Sequence, residues 1–304
     1  MAFPDFLPMS VANLTEATSI NLAHQIQQCS IPTPLNPRPI LTTYLRGGVE
    51  GSTPILLLHG FDSSVFEFRR LWPLLTPHHL TWAVDLLGFG FTERSPSIEI
   101  NPANIKSHLY HFWATMIHRP IILVGASMGG AAAIDFALSY PQVVERLVLI
   151  DSAGFTKGGK AMPLWLAPLT YLAAEFLRNP WVRDRISRTA YHHPQFASAD
   201  AATCAALHLA CPRWRQAMAS FTLSGGYPFL GDLVGQLVPP TLVLWGRSDR
   251  ILDIQDAFQF ERVLTDPKRA TASQSALMWV DQCGHVPHLE QPDFTARAIQ
   301  QFIS

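Results

Sequence analysis

Charge is what this 304-residue chain has least of. Asp, Glu, Lys and Arg make up 15% of it, against roughly a quarter in an ordinary globular domain. The 22 basic and 23 acidic side chains leave a formal net charge of −1, without a basic cluster. Nucleic-acid affinity rests on Lys and Arg neutralising phosphates, so no nucleic-acid partner is expected. Cysteine is scarce too. Cys29, Cys204, Cys211 and Cys283 stand far apart, lack the C-x-x-C spacing of a zinc or redox site, and read as buried free thiols. No Lys or Arg precedes Arg38, so neither a secretory signal nor an Arg-rich transit peptide is expected. Apolar runs stay short of the ~18 residues of a membrane span. The nearest, Ala161 to Ala174, is broken by Pro163 and Pro168. A chain that is soluble or lies against a membrane is the expectation.

Apolar residues are plentiful, at 48%, and they fall into short blocks. Ile55-Leu58, Leu80-Val84, Ile121-Val124, Leu147-Ile150, Thr241-Leu244 and Ala276-Val280 read as buried strands, because each is continuously apolar and ends at Gly, Asp or His. Helical patterns intervene at Glu67-Leu75, Ile105-Met116, Met128-Tyr140 and Phe294-Ile303. This alternation predicts a mostly parallel α/β sheet, with Thr42-Arg46 as an antiparallel edge strand. Between Asp151 and Leu230 the alternation gives way to Leu-, Trp-, Ala- and Phe-rich helical stretches. The predicted division is therefore a core over 40–153 and 232–304, a helical cap over 154–231, and an N-terminal extension over 1–39. In the extension, Val11, Leu14, Leu22 and Ile26 are expected to share one helix face.

Within this frame the run Val124-Gly125-Ala126-Ser127-Met128-Gly129-Gly130 stands between a strand and an alanine-rich helix. Gly-x-Ser-x-Gly in that setting is the pattern of a nucleophile elbow, a strained turn that exposes the serine hydroxyl at a sheet edge. Serine needs a base, and the base needs an orienting acid. Asp249 follows the strand Thr241-Leu244, and His285 follows Ala276-Val280, in the order acid then histidine that such elbows use. Leu58-His59-Gly60-Phe61 supplies a fourth element. The N–H of Phe61 and that of Met128, which heads a helix, are expected to form an oxyanion hole.

Other candidates carry less. Asp151 follows Leu147-Ile150 and is an alternative acid, whereas Asp85 reads as a turn former and Asp253 as a solvated or helix-capping residue. His59 is expected to bond loops, His288 to support the site, and His192-His193 to be exposed. None of these has metal-ligand spacing, and no cofactor is expected.

Taken together, these motifs resemble the α/β-hydrolase superfamily from about residue 40 onward. His59-Gly60-Phe61-Asp62-Ser63-Ser64, Trp82-Ala83-Val84-Asp85, Ser224-Gly225-Gly226-Tyr227 and Cys283-Gly284-His285-Val286-Pro287-His288 narrow the resemblance to chlorophyll dephytylase and its relatives in photosynthetic organisms. The elbow departs from the Gly-Pro-Ser-Leu-Gly form of plant members, reading Gly125-Ala126-Ser127-Met128-Gly129 here. The resemblance implies an α/β-hydrolase fold and a serine esterase of Ser127, Asp249 and His285 that cleaves the phytyl ester of chlorophyll. It also implies a hydrophobic, chlorophyll-like substrate and association with a thylakoid membrane. The apolar cap stretch Pro163-Leu177 is the expected membrane contact, and the missing transit-like segment suits a photosynthetic prokaryote, with the protein peripheral on the cytoplasmic side. No obligate protein partner is implied. A general carboxylesterase or lipase, and a silent hydrolase fold that binds a hydrophobic ligand, are the competing expectations.

Overall fold

The computed structural model describes residues 2–156, 159 and 161–304; residues 157, 158 and 160 of the predicted cap lie outside them. Eight strands form one sheet, in the order β1 (Gln27–Thr33), β2 (Asn36–Gly47), β4 (Thr81–Val84), β3 (Ile55–Leu58), β5 (Ile121–Ala126), β6 (Val144–Ile150), β7 (Thr241–Gly246) and β8 (Ala276–Val280). β1, β2 and β4 pair antiparallel, and β4-β3-β5-β6-β7-β8 run parallel. This is an α/β-hydrolase fold.

The parallel strands are continuously apolar because both faces are covered. Along β3 the side chains alternate between two core clusters. Leu56 and Leu58 join Phe112 and Phe136 on one face, from α3 (Pro102–Met116) and α4 (Met128–Ser139). Ile55 and Leu57 join Trp72 and Ile299 on the other. Around these stand α1 (Ala17–Ala23), α2 (Trp72–Leu75), α10 (Ile254–Leu264), α11 (Pro287–Glu290) and α12 (Pro292–Ile303). Between β6 and β7 the described residues hold only helices: α5 (Ala167–Arg178), α6 (Pro180–Ala190), α7 (Ala199–Ala206), α8 (Trp214–Leu223), α9 (Gly231–Val234) and short 3-10 turns.

Four sequence expectations need correction. The segment Thr42-Arg46 is not an edge strand, because β2 lies between β1 and β4. Residues 1–39 are no appendage. β1 and the first residues of β2 lie in the sheet, so a boundary at residue 39 cuts a strand. Val11, Leu14, Leu22 and Ile26 are all buried in the core, but they come from a 3-10 turn, α1 and the connections rather than one helix. Finally, Glu67-Leu75 is not one helix but a 3-10 turn over Val65–Phe68 followed by the short α2. Pro73 has no N–H to bond the carbonyl one turn earlier, so a continuous helix is broken there.

Candidate active site

The carboxyl ends of β3, β5, β6, β7 and β8 meet at one edge of the sheet, where an open α/β sheet binds its ligands. β5 delivers Ser127 directly onto α4, with φ +53° and ψ −118°. Such angles cost a non-glycine residue ~1–3 kcal/mol, and the surroundings hold them in place. The Ser127 N–H donates to the Ile150 carbonyl (2.9 Å), and the Ser127 carbonyl accepts from Gly130 (2.9 Å) and Ala153 (3.0 Å). The glycines are required by closeness. A Cβ on Gly129 would lie 2.3 Å from the Leu58 carbonyl oxygen, and one on Gly125 would lie 2.3 Å from that of Gly129.

His285 stands after β8, its Nε2 2.9 Å from Ser127 Oγ and its Nδ1 2.8 Å from Asp249 Oδ2. A carboxylate can only accept, so Nδ1 carries the proton and Nε2 is free to accept from the Ser127 hydroxyl. The other Asp249 oxygen accepts from the N–H groups of Ile251 (2.7 Å) and Leu252 (3.1 Å). Burial pushes the Asp249 carboxyl up, but the His285 hydrogen bond and charge, with those two N–H groups, outweigh it and hold the pKa below its ordinary value. The structure thus brings Ser127, His285 and Asp249 into one hydrogen-bonded chain.

The two expected oxyanion donors flank the serine. Met128 is the first residue of α4, and the first N–H of a helix has no intrahelical acceptor. The Gly60-Phe61 turn packs against Ser127, since a Cβ on Gly60 would come within 3.3 Å of Ser127 Cβ.

Asp151, expected as an alternative acid, lies beside Asp249 and His285 but outside their hydrogen-bonded chain. One of its oxygens accepts from the Gly246 N–H at 3.0 Å, and the other is buried without a partner. Burial first, then the charge of Asp249, raise its pKa well above its ordinary value. Donor atoms of Asp151, Asp249 and His285 all lie within 4.8 Å of one another. They do not make a good cation site, because both Asp249 oxygens already accept from protein N–H groups.

The remaining sequence candidates fall into structural places. His59 lies between the Gly60 carbonyl (2.8 Å) and the Leu86 N–H (3.1 Å). Asp85 accepts from Val65 and Phe91, both at 2.7 Å, and Asp253 caps α10. His288 sits 3.2 Å from Glu67. His192 and His193 are half-buried rather than exposed, and their N–H groups donate to Glu290.

A cavity of about 300 Å³ opens above Ser127 and His285, walled by Phe61, Phe66, Leu177, Ile186, Tyr191 and Leu289. Core and cap both contribute. Sequence reasoning missed three of its polar members. Glu67 accepts from the Gly60 N–H at 2.9 Å; burial pushes its carboxyl up, but His288 outweighs this and its pKa falls to about 2. Arg183 reaches in from α6, and Asp62 follows Phe61. The only sequence signal for Asp62 was an acid directly after a strand-end His-Gly-Phe turn.

Residues 55–298 match the model of the alpha/beta hydrolase family. The chain belongs to that family. An alpha/beta hydrolase domain-containing protein of Arabidopsis thaliana, VTE7, is 31% identical over 99% of this chain and 91% of its own length. Lipase 1 of Psychrobacter immobilis is 26% identical over 86% of this chain and 80% of its own. An esterase structure from Thermogutta terrifontis superposes with a TM-score of 0.72 at 23% identity, over 91% of this chain and 97% of that one. As a member of this family the chain is a hydrolase of α/β fold with esterase- and lipase-like relatives. Among the described residues, no helix of this hydrolase is long and apolar enough to cross a membrane.

Proposed function

We propose that this hydrolase is a serine esterase that cleaves the phytyl ester of chlorophyll or a derivative, releasing chlorophyllide and phytol. The observation that carries the esterase chemistry is the 2.9 Å approach of His285 Nε2 to Ser127 Oγ, with Asp249 behind the ring. In this reading His285 takes the Ser127 proton as the hydroxyl attacks the ester carbonyl. The Phe61 and Met128 N–H groups hold the oxyanion, a contribution worth ~10²–10³ in turnover for a single donor. His285 then protonates the departing alcohol, takes a proton from the water that attacks the acyl-enzyme, and returns it to Ser127 Oγ as the carboxylic acid leaves. No diffusible cofactor enters, and the magnesium of chlorophyll belongs to the substrate.

The phytyl part of the proposal rests on motif resemblance, on the whole-length similarity to VTE7, and on the apolar walls of the cavity. At about 300 Å³ the cavity stands at the lower end of ligand pockets, so it takes one arm of a large ester while the ring remains at the mouth. Trp165, Leu169, Leu172, Phe176 and Trp181 are exposed on the cap. They support peripheral contact with a lipid surface, where such an ester is found. The competing reading, a general carboxylesterase or lipase, is favoured by the similarity to Lipase 1.

Product analysis after incubation with chlorophyll a in mild detergent separates the two. Chlorophyllide formed by wild type and not by Ser127→Ala supports the proposal. Cleavage of short p-nitrophenyl esters alone would leave only the general esterase. No fluorophosphonate labelling of folded wild type would leave a silent ligand-binding protein.

A further inference from the structure

Asp62 carries a role that the chemistry described above does not use. It sits one residue after Phe61, with φ +48°, and is 9% exposed. An aspartate at positive φ in the loop that bears an oxyanion donor is held there by its side chain. Every side-chain donor to its carboxylate, among the described residues, comes from the cap. Oδ1 accepts from His208 Nε2 at 2.9 Å and from Trp214 Nε1 at 2.7 Å, and Oδ2 accepts from Arg183 Nη1 at 2.5 Å. Burial pushes the Asp62 carboxyl up, but the hydrogen bonds and charges of His208 and Arg183 bring its pKa down to about 2. The group is a buried anion that the cap solvates in place of water.

Arg183 belongs to α6, which spans the mouth of the cavity. Its Nη2 also donates to the Ala205 carbonyl (2.6 Å), so its guanidinium ties the Asp62 loop to the start and the middle of the cap. At the other end of α6 the Ala190 carbonyl accepts from the His285 N–H at 2.7 Å. Ile186, Ser187 and Ala190 line the cavity in between. One cap helix is therefore fastened at one end to the oxyanion loop and at the other to the histidine loop.

We infer that Asp62 is a positioning residue. Through Arg183, His208 and Trp214 it places the Phe61 N–H in register only when the cap is seated, so that substrate enclosure and oxyanion stabilisation arrive together. If the cap lifts, an ionised carboxylate loses three charge-assisted bonds at once, and among the described residues no core side chain donates to it in their place. The inference rests on the esterase reading and on Phe61 as an oxyanion donor, but not on the identity of the alcohol.

The test uses kcat and KM for p-nitrophenyl butyrate, with fluorophosphonate labelling rate as a second readout. Asp62→Asn keeps the shape and removes the charge; Arg183→Met removes the cap partner without touching the oxyanion loop. Each is expected to lower kcat and labelling rate by about 10–100-fold, a fraction of the loss of an oxyanion donor, with KM within about 3-fold. The double variant is expected to be no worse than either single, because both break one linkage. Arg183→Lys should recover part of kcat, and Arg188→Met, which breaks only a surface pair with Asp184 on the same helix, should leave it unchanged. Trp214→Phe gives the same answer more mildly if Asp62→Asn fails to fold. Unchanged kcat with raised KM would make the cluster a binding wall and overturn the inference, as would additive losses. A wild type that neither turns over the butyrate ester nor labels removes the esterase reading itself, and with it this role for Asp62. Activity on the butyrate ester without activity on chlorophyll overturns only the choice of alcohol.

Discussion

Asn in place of Asp249 should damage turnover less than the same change in an enzyme with one acid, because a second carboxyl is already in position. Losing the acid that orients a catalytic imidazole costs ~10⁴ in kcat when nothing replaces it, since the ring then settles in the wrong tautomer. Here Asp151 has an oxygen within 4.8 Å of the donor atoms of both His285 and Asp249. Burial and the Asp249 charge both raise its pKa. Two unit charges at that separation repel by about 3.5 kcal/mol at an effective dielectric of ~20. Removing the Asp249 charge therefore favours the ionised form of Asp151 by roughly 400-fold, and the Asp151 oxygen that has no partner is free to accept from the imidazole.

The expected result is a loss of ~10²–10³ for Asp249→Asn, against ~10⁴ for Asp151→Asn/Asp249→Asn. The sign of the pH dependence follows from the raised pKa of Asp151. The carboxyl ionises as pH rises, so the activity of Asp249→Asn relative to that of the double variant should climb with pH, the contribution of His285 as base being common to both. Initial rates on p-nitrophenyl butyrate between pH 5.5 and 9, normalised by active-site titration, read both effects. If the single variant is as slow as the double at every pH, Asp151 is a spectator and the reasoning fails.

Two further outcomes concern stability. Ser127→Gly should abolish activity yet raise the unfolding free energy by about 1 kcal/mol over Ser127→Ala, because glycine removes the penalty of φ +53° and returns part of the gain to the unfolded chain; equal urea midpoints would contradict this. Acid should unfold the protein between about pH 4.5 and 2. Asp62 and Glu67 have folded pKa values of about 2, below their unfolded values, so their contribution is complete above the unfolded values and disappears as pH falls through the folded ones. On the order of 2–3 kcal/mol each is at stake. Urea unfolding of wild type and Asp62→Asn at pH 6 and pH 3 should show the difference between the two proteins shrink at the lower pH.

The parallel strands were legible because burial on both faces leaves an uninterrupted apolar run, and the chemistry of the fold is placed where those runs stop. Ile55–Leu58 and Ala276–Val280 match their expected bounds, and Ser127, Asp249 and His285 each follow such a run. At the antiparallel end only Thr42-Arg46, within β2, was legible, and β1 was not, for the converse reason. β1 is an outer strand of sequence Gln-Gln-Cys-Ser-Ile-Pro-Thr, with only Ile31 buried, and a strand with one wet face and a proline has little apolar signal to show.

The division between what was readable and what was not follows the physics of the site itself. Groups that touch reacting atoms are carried on short turns at strand ends, so chain order and local pattern locate them. Groups that hold those turns still act by pairing with segments that are remote along the chain. Asp62 meets Arg183, His208 and Trp214 across 121, 146 and 152 residues, and Glu290 catches the backbone of His192 and His193 nearly a hundred residues away. No periodicity records such a pairing, since any acid after any turn has the same local appearance. What distinguishes Asp62 is only that three cap donors converge on it once the chain is folded. The selectivity of the site is therefore expected to depend on how the cap is fastened as much as on the three residues beneath it.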